Sequence, residues 1–436
     1  MSTAEIRKRC YLNKLEPSNT YLASCSCFKE CDPMSTPAYH LNATLLPEAK
    51  ENVDIWVSEG RFTFSQVSGA IDLPGAFMAA GMVDGHVHLS LDFANTGLPP
   101  ATSELVLHNA KRHLRSGVTV VRDAGFVQQL NLTDVHLPDL PEILLSGWIH
   151  VPEGRFFPGI DISKATSPEQ LLARFKEVAA HGCKWFKIIA DFPGTDMNLF
   201  AAPITYPVEI IREVVKAAHA VGVRVLAHST GGDVGAIIET GVDSIEHGMS
   251  ITPNHVRRMA ELGTQWCPTI ATAEGFLLAA EEKGMPSEIR ATYSARTTES
   301  LKLAMELGVD VLAGSDELAH GTIDLEIDAM VRHGMTVQQA IASATTIGRR
   351  ALALPGVEEG APADLIVWDE DPRDDLSRLT RPSIVLGRGV PLNLSIVDVV
   401  PGTVLSARER HGDQSLNRML ADETCVFADG KGHKHG

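Results

Sequence analysis

Several features that often indicate where a protein works are scarce in this sequence. No apolar run is long enough to cross a bilayer, and residues 1–19 lack the apolar block typical of a secretory signal. Positive charge is also scarce, with 38 Lys and Arg against 55 Asp and Glu and a formal net charge of −17. Nucleic-acid binding needs clustered positive charge, so we expect no nucleic-acid partner. Because long apolar runs are also missing, we expect a cytoplasmic protein that contacts no membrane and whose partner is a small-molecule substrate. The oligomeric state stays open, a homo-oligomer included.

Cysteines are few and unevenly placed along the chain. Three of the seven are widely separated, which argues against a disulfide framework. The other four fall within the first 33 residues, in a spacing that matches no common zinc ribbon or finger: Cys10, Cys25, Cys27 and Cys31. Residues 1–39 are therefore an unassigned N-terminal extension in this prediction, and residues 407–436 are a polar C-terminal tail.

Between residues 81 and 355, short apolar runs alternate with amphipathic stretches. The stretch 207–221, for example, places Val208, Ile211 and Val215 on one helical face. Eight such strand–helix units predict an α/β protein, a (β/α)8 TIM barrel, whose usual size is about 250 residues. A doubly wound open sheet is the alternative, but no glycine-rich phosphate fingerprint follows the first strand.

The segments that flank this barrel, residues 40–80 and 356–406, show strand-like alternation without a helical period. Neither segment contains enough strands for a sheet of its own. We therefore expect them to pair in a small β-sandwich domain built from both chain ends. Substrate choice should depend on the loops that follow the barrel strands, which are predicted at residues 91–101, 151–166, 192–206 and 271–300.

Polar side chains occupy the ends of the predicted barrel strands. The first strand ends in His86 and His88, which share one face because alternate strand residues point the same way. Later strands add the further members of this set, namely Lys187, His228, His247 and Asp316. The C-terminal strand ends of a barrel converge on one mouth, where active sites lie. Imidazoles and a carboxylate at that mouth predict a site for zinc or a similar divalent ion.

Lys187 conflicts with a metal site if it stays charged. A cationic side chain beside divalent cations is strongly disfavoured by repulsion. The lysine must therefore be neutral, absent from the site or chemically altered.

In order and spacing, these motifs resemble the amidohydrolase superfamily over roughly residues 40 to 405. The resemblance rests on the segments Val83–His88, Phe186–Ile189, Leu226–His228, Asp243–Gly248 and Ala313–Asp316, and on the distal segments Ala340–Thr345 and Ala363–Val367. Within the superfamily, the chain is most similar to the imidazolonepropionase-like and prolidase-like members.

The resemblance implies a centre with two divalent metal ions, of which zinc is the favoured ion. In that branch, a lysine on strand four reacts with carbon dioxide, and the resulting carbamate bridges the two ions. Lys187 would become this anionic bridge, which removes the conflict of charge. The ligands implied are His86, His88 and Asp316 for the more buried ion, and His228 and His247 for the outer one.

The resemblance also implies an enzyme, a metal-dependent hydrolase that cleaves an amide-type C–N bond in a peptide, an N-acyl amino acid or a cyclic amide. Asp316 would act as general base and then as general acid. Prolidase-like members carry a tyrosine two residues after the strand-five histidine, where this chain has Thr230. Tyr206 and His150 are the candidates to polarise the substrate carbonyl instead.

Two rival functions stay open. One is a mononuclear deaminase-like or imidazolonepropionase-like hydrolase in which Lys187 is only structural. The other is a metal-binding scaffold without catalysis. Among the neighbouring polar residues, we expect an internal ion pair between Arg122 and Asp123, a supporting bond from Glu246, and a substrate contact from His320.

Overall fold

The structure is a computed structural model of the chain that describes residues 37–91, 103–125, 140–156, 163–193, 198–316, 318–392 and 394. The predictions for residues 1–36 and 407–436 lie outside the described residues, as does most of the predicted loop 91–101. Within the described ranges, no helix combines the length and the apolar character needed to cross a membrane.

The secondary structure alternates between strands and helices through most of the chain. The strands are β1 (Tyr39–Leu45), β2 (Lys50–Ser58), β3 (Arg61–Thr63), β4 (Ile71–Asp72), β5 (Phe77–Ala80), β6 (Met82–Val87), β7 (Val118–Asp123), β8 (Glu142–Leu145), β9 (Ile149–Val151), β10 (Ser163–Ala165), β11 (Trp185–Ile189), β12 (Arg224–Ser229), β13 (Ser244–His247), β14 (Gln265–Cys267), β15 (Leu365–Trp368), β16 (Ile384–Gly387) and β17 (Val390–Pro391). The helices are α1 (Ser103–Arg115), α2 (Pro168–Ala180), α3 (Val208–His219), α4 (Val234–Ile238), α5 (Pro253–Leu262), α6 (Ile270–Glu282), α7 (Ser287–Leu307), α8 (Ile323–Arg332), α9 (Val337–Ala344) and α10 (Thr346–Ala351).

Eight strand segments follow one another around a closed ring. Parallel pairing joins β6, β7 and β8, and it also joins β11, β12, β13 and β14. The backbone N–H of Lys187 donates to the carbonyl of Ser146 at 3.1 Å and so links the end of β8 to β11. Residues 311–316 supply the eighth segment, with parallel bridges from Val311 to Trp266 and from Asp316 to Val87. The protein has the predicted TIM-barrel fold.

The helices pack on the outside of this ring through apolar faces. In α3, the spacing of Ile211, Val214, Val215 and Ala218 gives one buried stripe, while Glu209 and Lys216 lie on other faces. Residues 271–300 are a loop in the sequence-based prediction, and that prediction is wrong because α6 and most of α7 lie there. The buried face of α7 includes the small polar residues Thr297 and Ser300, which hide its helical period.

The prediction that the third barrel strand ends near His150 is also wrong. The strand β8 ends at Leu145, and Gly147 then turns the chain with φ +75°, a conformation that favours glycine. His150 lies on β9, a separate strand that pairs with β11 at Ile188 and with β10.

Strands that precede the barrel in the sequence and strands that follow it form one eight-stranded sheet. Its order is β17-β16-β15-β5-β1-β2-β3, and β4 pairs with β1. The two chain segments meet where β15 pairs antiparallel with β5, Leu365 lying opposite Ala80. Apolar side chains from both segments, including Ile55, Phe62 and Met78, share one core cluster with Leu365. We refer to this unit as the terminal sheet.

Candidate metal centre

Four histidines and one aspartate gather where the barrel strands end. Ring centroids lie 5.2 Å apart for His86 and His88, 4.9 Å for His86 and His247, and 4.5 Å for His228 and His247. The Nε2 atoms of His86 and His88 each lie 3.6 Å from Oδ1 of Asp316. A ligand atom from each of His86, His88 and Asp316 can be chosen so that all three lie within 4.8 Å of one another.

The second ring nitrogen of three of these histidines is held by the protein. Nδ1 of His86 lies 2.5 Å from Oε2 of Glu246, and Nδ1 of His88 lies 3.2 Å from the carbonyl oxygen of Gly125. In His247, Nδ1 lies 2.8 Å from the hydroxyl of Thr269. Metal-ligating histidines use their second nitrogen in this way, because such a bond fixes both the ring and its tautomer.

Left-handed backbone brings two of the side chains into the mouth. His228 lies opposite Glu246 in the sheet register, so their side chains share a face, and His247 would point away on a regular strand. His247 instead has φ +67°, which turns its ring towards His86. Two adjacent residues, Glu246 and His247, therefore both contact the ring of His86. Asp316 has φ +51°. Such conformations are unfavourable for residues other than glycine, and they concentrate at functional sites.

Lys187 is buried, with 1% of its surface exposed, and it lies on the same face of the barrel sheet as His228. Burial lowers the pKa of Lys187 to about 8, against the opposing effect of the negative charges of Glu246 and Asp316. Burial, followed by the positive charge of Lys187, lowers the pKa of both His88 and His228 to about 3. The lysine therefore shares the electrostatic environment of the histidines.

The donor set fits a divalent metal ion. The Nε2 atoms of His86 and His228 are buried and have no hydrogen-bond partner among the described residues. A buried nitrogen without a partner is costly, so such groups are rare unless a ligand uses them. Burial also holds the pKa of His86 well below its usual value, which keeps the ring neutral with a lone pair to offer. Neutral imidazoles beside a carboxylate are ligands that suit zinc.

Glu246 supports the centre from the barrel interior. Its carboxylate contacts the ring of His86 and accepts hydrogen bonds from Arg122 Nη2 at 2.8 and 3.1 Å and from the Ser244 hydroxyl at 2.5 Å. The ion pair expected between Arg122 and Asp123 is therefore wrong, because Arg122 pairs with Glu246. Asp123 instead accepts the backbone N–H groups of Leu89 and Gly125.

The two residues proposed to polarise a carbonyl have their described contacts elsewhere. His150 lies opposite Ile188 and stacks on Phe186, one position from Lys187 and on the opposite face of β11. The Tyr206 hydroxyl donates to the carbonyl of Thr166 at 3.2 Å, and the side chain is buried in the core. Their assignment as substrate residues thus gains no support from these contacts.

His320, expected to touch substrate, packs inside the protein. Its Nδ1 lies 2.9 Å from Nε2 of His113, and its Nε2 lies 2.7 Å from the carbonyl oxygen of Leu91. Both ring nitrogens therefore have partners within the protein, and the substrate contact expected of His320 gains no support from them and stays a prediction.

The segment after His228 encloses a buried carboxylate that sequence reasoning missed. Asp191 accepts hydrogen bonds from the Ser229 hydroxyl at 2.5 Å, from Thr230 N at 2.8 Å and from Gly231 N at 3.2 Å. A Cβ atom on Gly231 would lie 2.3 Å from the carbonyl oxygen of Ala202, so this close approach requires glycine. The paired glycines after Thr230 were the only signal of this turn in the sequence.

Solved structures share the fold over most of their length. A prolidase complexed with N-methylphosphonate-L-proline aligns with a TM-score of 0.67 and 25% identity, covering 82% of this chain and 99% of that one. The crystal structure of Aspergillus niger ochratoxinase aligns with a TM-score of 0.69 and 20% identity, covering 81% of this chain and 96% of that one. The second likeness shows the fold alone.

Sequence comparisons extend the likeness to the whole barrel. An uncharacterized protein of Mycobacterium tuberculosis strain H37Rv is 31% identical over 360 residues, which are 80% of this chain and 94% of that protein. Aspergillus niger ochratoxinase is 30% identical over 274 residues, 60% of this chain and 56% of that enzyme. The model of the amidohydrolase family matches residues 77–391, and the chain therefore belongs to the amidohydrolase family, whose members are hydrolases.

Proposed function

We propose that this protein is a metal-dependent amidohydrolase that hydrolyses an amide-type C–N bond. The observation that carries the proposal is the cluster of four histidines at the ends of the barrel strands, three of which place a ring nitrogen 3.6 Å from the carboxylate of Asp316. Family membership supports the reaction class, because amidohydrolases are hydrolases.

We assign the more buried of two divalent ions to His86, His88 and Asp316, whose ligand atoms already lie close together. The outer ion is assigned to His228 and His247, whose rings are in contact. Zinc is the first ion to test, since it prefers this donor set. When bound, such ions lower the pKa of water to about 7 and polarise a carbonyl oxygen.

The proposed bridge between the two ions is a carbamate on Lys187. Its formation joins the amine nitrogen to the carbon of CO2 and releases one proton, which requires the neutral amine. Burial lowers the pKa of Lys187 to about 8, so a fraction of the side chain is neutral near pH 7. The modified side chain is an anion, which would relieve the repulsion between an ammonium group and the two ions.

Asp316 is assigned the transfer of a proton from the attacking water to the leaving amine. Burial raises the pKa of Asp316 to about 7, and the charge of Lys187 opposes this rise. Bound divalent ions would lower this pKa, so the assignment rests on the position of the carboxylate beside two of the histidines, where it could accept a proton and return it. The backbone N–H of Asp316 donates to the carbonyl of His86 at 2.7 Å, and this bond holds Asp316 beside His86.

The substrate class proposed is a peptide, an N-acyl amino acid or a cyclic amide. One structural relative was solved with N-methylphosphonate-L-proline, an N-substituted amino acid, and another is named ochratoxinase. N-acylated amino acids, including dipeptides with C-terminal proline, are therefore the first compounds to screen.

A mononuclear hydrolase is the second candidate. The ligand atoms of His86, His88 and Asp316 form a three-residue set by themselves, and one ion on these residues would leave Lys187 unmodified.

Metal analysis combined with a substrate screen tests both candidates. The protein would be expressed without added metal, analysed for bound ions, and assayed against dipeptides, N-acyl amino acids and cyclic amides. Two ions per chain with amide hydrolysis supports the dinuclear proposal, whereas one ion at full activity supports the mononuclear enzyme. Absence of turnover with metal bound, over a panel extended to esters and lactones, would overturn the proposed activity.

A further inference from the structure

The first turn of helix α6 contacts two of the strand ends that build the metal centre. At its N-cap, the hydroxyl of Thr269 lies 2.8 Å from Nδ1 of His247. One turn further, the hydroxyl of Thr272 donates to the carbonyl of Ser315 at 3.1 Å, next to Asp316. The position of this turn therefore affects one proposed ligand directly and the backbone beside another.

Thr269 does not hold its position by local preference. It has φ +45° and ψ +49°, a left-handed conformation that is costly for a β-branched residue. Such a conformation persists only when contacts around it fix the backbone. The required contacts have to come from a neighbouring element, because the first N–H groups of a helix have no partner within the helix.

Glu326, on helix α8, supplies these contacts. Its side chain is fully buried, and its two carboxylate oxygens accept the backbone N–H groups of Ile270 at 2.9 Å and Ala271 at 2.8 Å. Burial raises the pKa of Glu326 to about 8, and the hydrogen bonds from these two N–H groups oppose the rise because they favour the carboxylate. Glu326 thus fixes the turn that carries Thr269, although neither it nor any residue next to it is a proposed metal ligand.

We propose that Glu326 is a positioning residue for the metal centre, which it controls by anchoring the first turn of α6 and thereby the bond between Thr269 and His247. The inference rests on the proposed function, since it takes His247 to be a metal ligand. Without the anchor, two buried N–H groups lose their acceptor, the turn relaxes and the ring of His247 loses its fixed orientation.

The test measures the affinity of the metal-free protein for Co2+, followed by the visible absorption of the bound ion, and it needs no substrate. Glu326→Gln keeps the size of the side chain and loses one of the two acceptors. Thr269→Val removes the hydroxyl while it keeps the β-branched shape, and Thr269→Ser restores the hydroxyl. We expect Co2+ affinity to fall about tenfold in Glu326→Gln and Thr269→Val, and to stay near the wild-type value in Thr269→Ser.

Glu274→Gln is the matched control for a merely structural role. Glu274 also joins α6 to the end of α8, through His333 at 2.9 Å and Arg332 at 2.7 Å, but it bonds to these two side chains rather than to the N–H groups that Glu326 holds. We expect this substitution to lower the thermal midpoint without changing Co2+ affinity.

The double variant Glu326→Gln with Thr269→Val separates the proposed route from any other. If Glu326 acts through Thr269, the second substitution adds little to the loss of affinity caused by the first. Fully additive losses would overturn the inference, as would wild-type affinity in Glu326→Gln. A wild-type protein that binds no Co2+ would overturn the proposed metal site as well, so the two failures can be told apart. If Glu326→Gln does not fold, the variants Thr269→Val and Thr269→Ser still test whether the bond between Thr269 and His247 affects Co2+ affinity.

Discussion

Histidines are used in two opposite ways in the terminal sheet and in the barrel mouth. On β1, the ring of His40 stacks on Trp56 with centroids 4.5 Å apart, and its nitrogens face Asp72 at 2.7 Å and Asp54 at 3.1 Å. The hydrogen bond to Asp72 is the main cause that raises the pKa of His40. In the mouth, burial is the main cause that lowers the pKa of His86, whose Nε2 has no hydrogen-bond partner in the described part of the chain.

This difference separates a histidine that is used by the fold from one that is available to a ligand. In the terminal sheet, both nitrogens of His40 find carboxylates, so the charged ring is stabilised by the protein itself. In the mouth, one nitrogen is fixed by the protein and the other is left to converge with its neighbours on Asp316. A set of neutral rings, each with one free lone pair, is stable when an ion completes it.

The largest expected effect is the loss of catalysis when the centre loses a charged member. We expect Asp316→Asn and Lys187→Ala each to lower turnover at least about a hundredfold, since one removes the proposed proton carrier and the other removes the proposed bridge between the ions. Steady-state kinetics and circular dichroism would be measured together, so that folding is checked. His40→Gln is the control from the other region and should keep full activity. Near wild-type turnover in either site variant would remove that residue from the mechanism.

Removal of metal should affect the mouth and leave the terminal sheet unchanged. A chelator should abolish activity and lower the thermal midpoint, because an ion that binds only the native state stabilises it. Added zinc should restore both. In His40→Gln, we expect the chelator to lower the thermal midpoint as much as in the wild type. In His228→Ala, we expect the chelator to lower it less. A chelator that changes neither activity nor midpoint would contradict a metal centre.

Glu246→Gln should weaken the centre by an intermediate amount. It weakens the acceptor for His86 and leaves the buried guanidinium of Arg122 without a charged partner. We expect metal affinity to fall about 10–100-fold and stability to fall by about 3–5 kcal/mol. Metal titration and denaturant unfolding would measure the two effects. A matched exposed pair is Arg258 with Glu239, where solvent screens the interaction and Glu239→Gln should change stability little.

The smallest effect concerns pH and the terminal sheet. The pKa of His40 is raised above its unfolded value, so its stabilising contribution is complete below about pH 6.5 and is lost as pH rises through the folded pKa. Because the ring lies near the surface, solvent screens the interaction and the change should be slight. An NMR titration of His40 should give a pKa above the ordinary value, and Asp72→Asn should return it towards that value. A wild-type titration at or below the ordinary value would contradict the contrast with the mouth.

The sequence predicted the parts of this protein that follow strand periodicity. His86 and His88 lie two residues apart at a strand end, and the fold class follows from the order of apolar runs. Lys187 and His228 lie on the same face of the barrel sheet because side chains alternate along each strand. This alternation can be read from the order of the residues alone.

Features that depend on backbone departures or distant packing could not be predicted in this way. The position of His247 depends on a left-handed residue that interrupts alternation. The partner of Arg122 is 124 residues away rather than adjacent, because the closed ring brings β7 and β13 together across the barrel interior. Helix α7 was missed because its buried face includes polar residues, and Glu326 gave no signal because its role depends on the end of another helix.

The turn that encloses Asp191 also constrains how this enzyme can be altered. At Thr230 the resemblance to prolidase-like members predicts a tyrosine. The threonine is 3% exposed, and its N–H and hydroxyl both bond to the carboxylate of Asp191. We therefore expect Thr230→Tyr to disrupt this turn, because a larger side chain would replace a buried hydroxyl that bonds to Asp191. A variant designed to have a relative's specificity would therefore have to replace residues 229–231 and Asp191 together, because they hold one another in place.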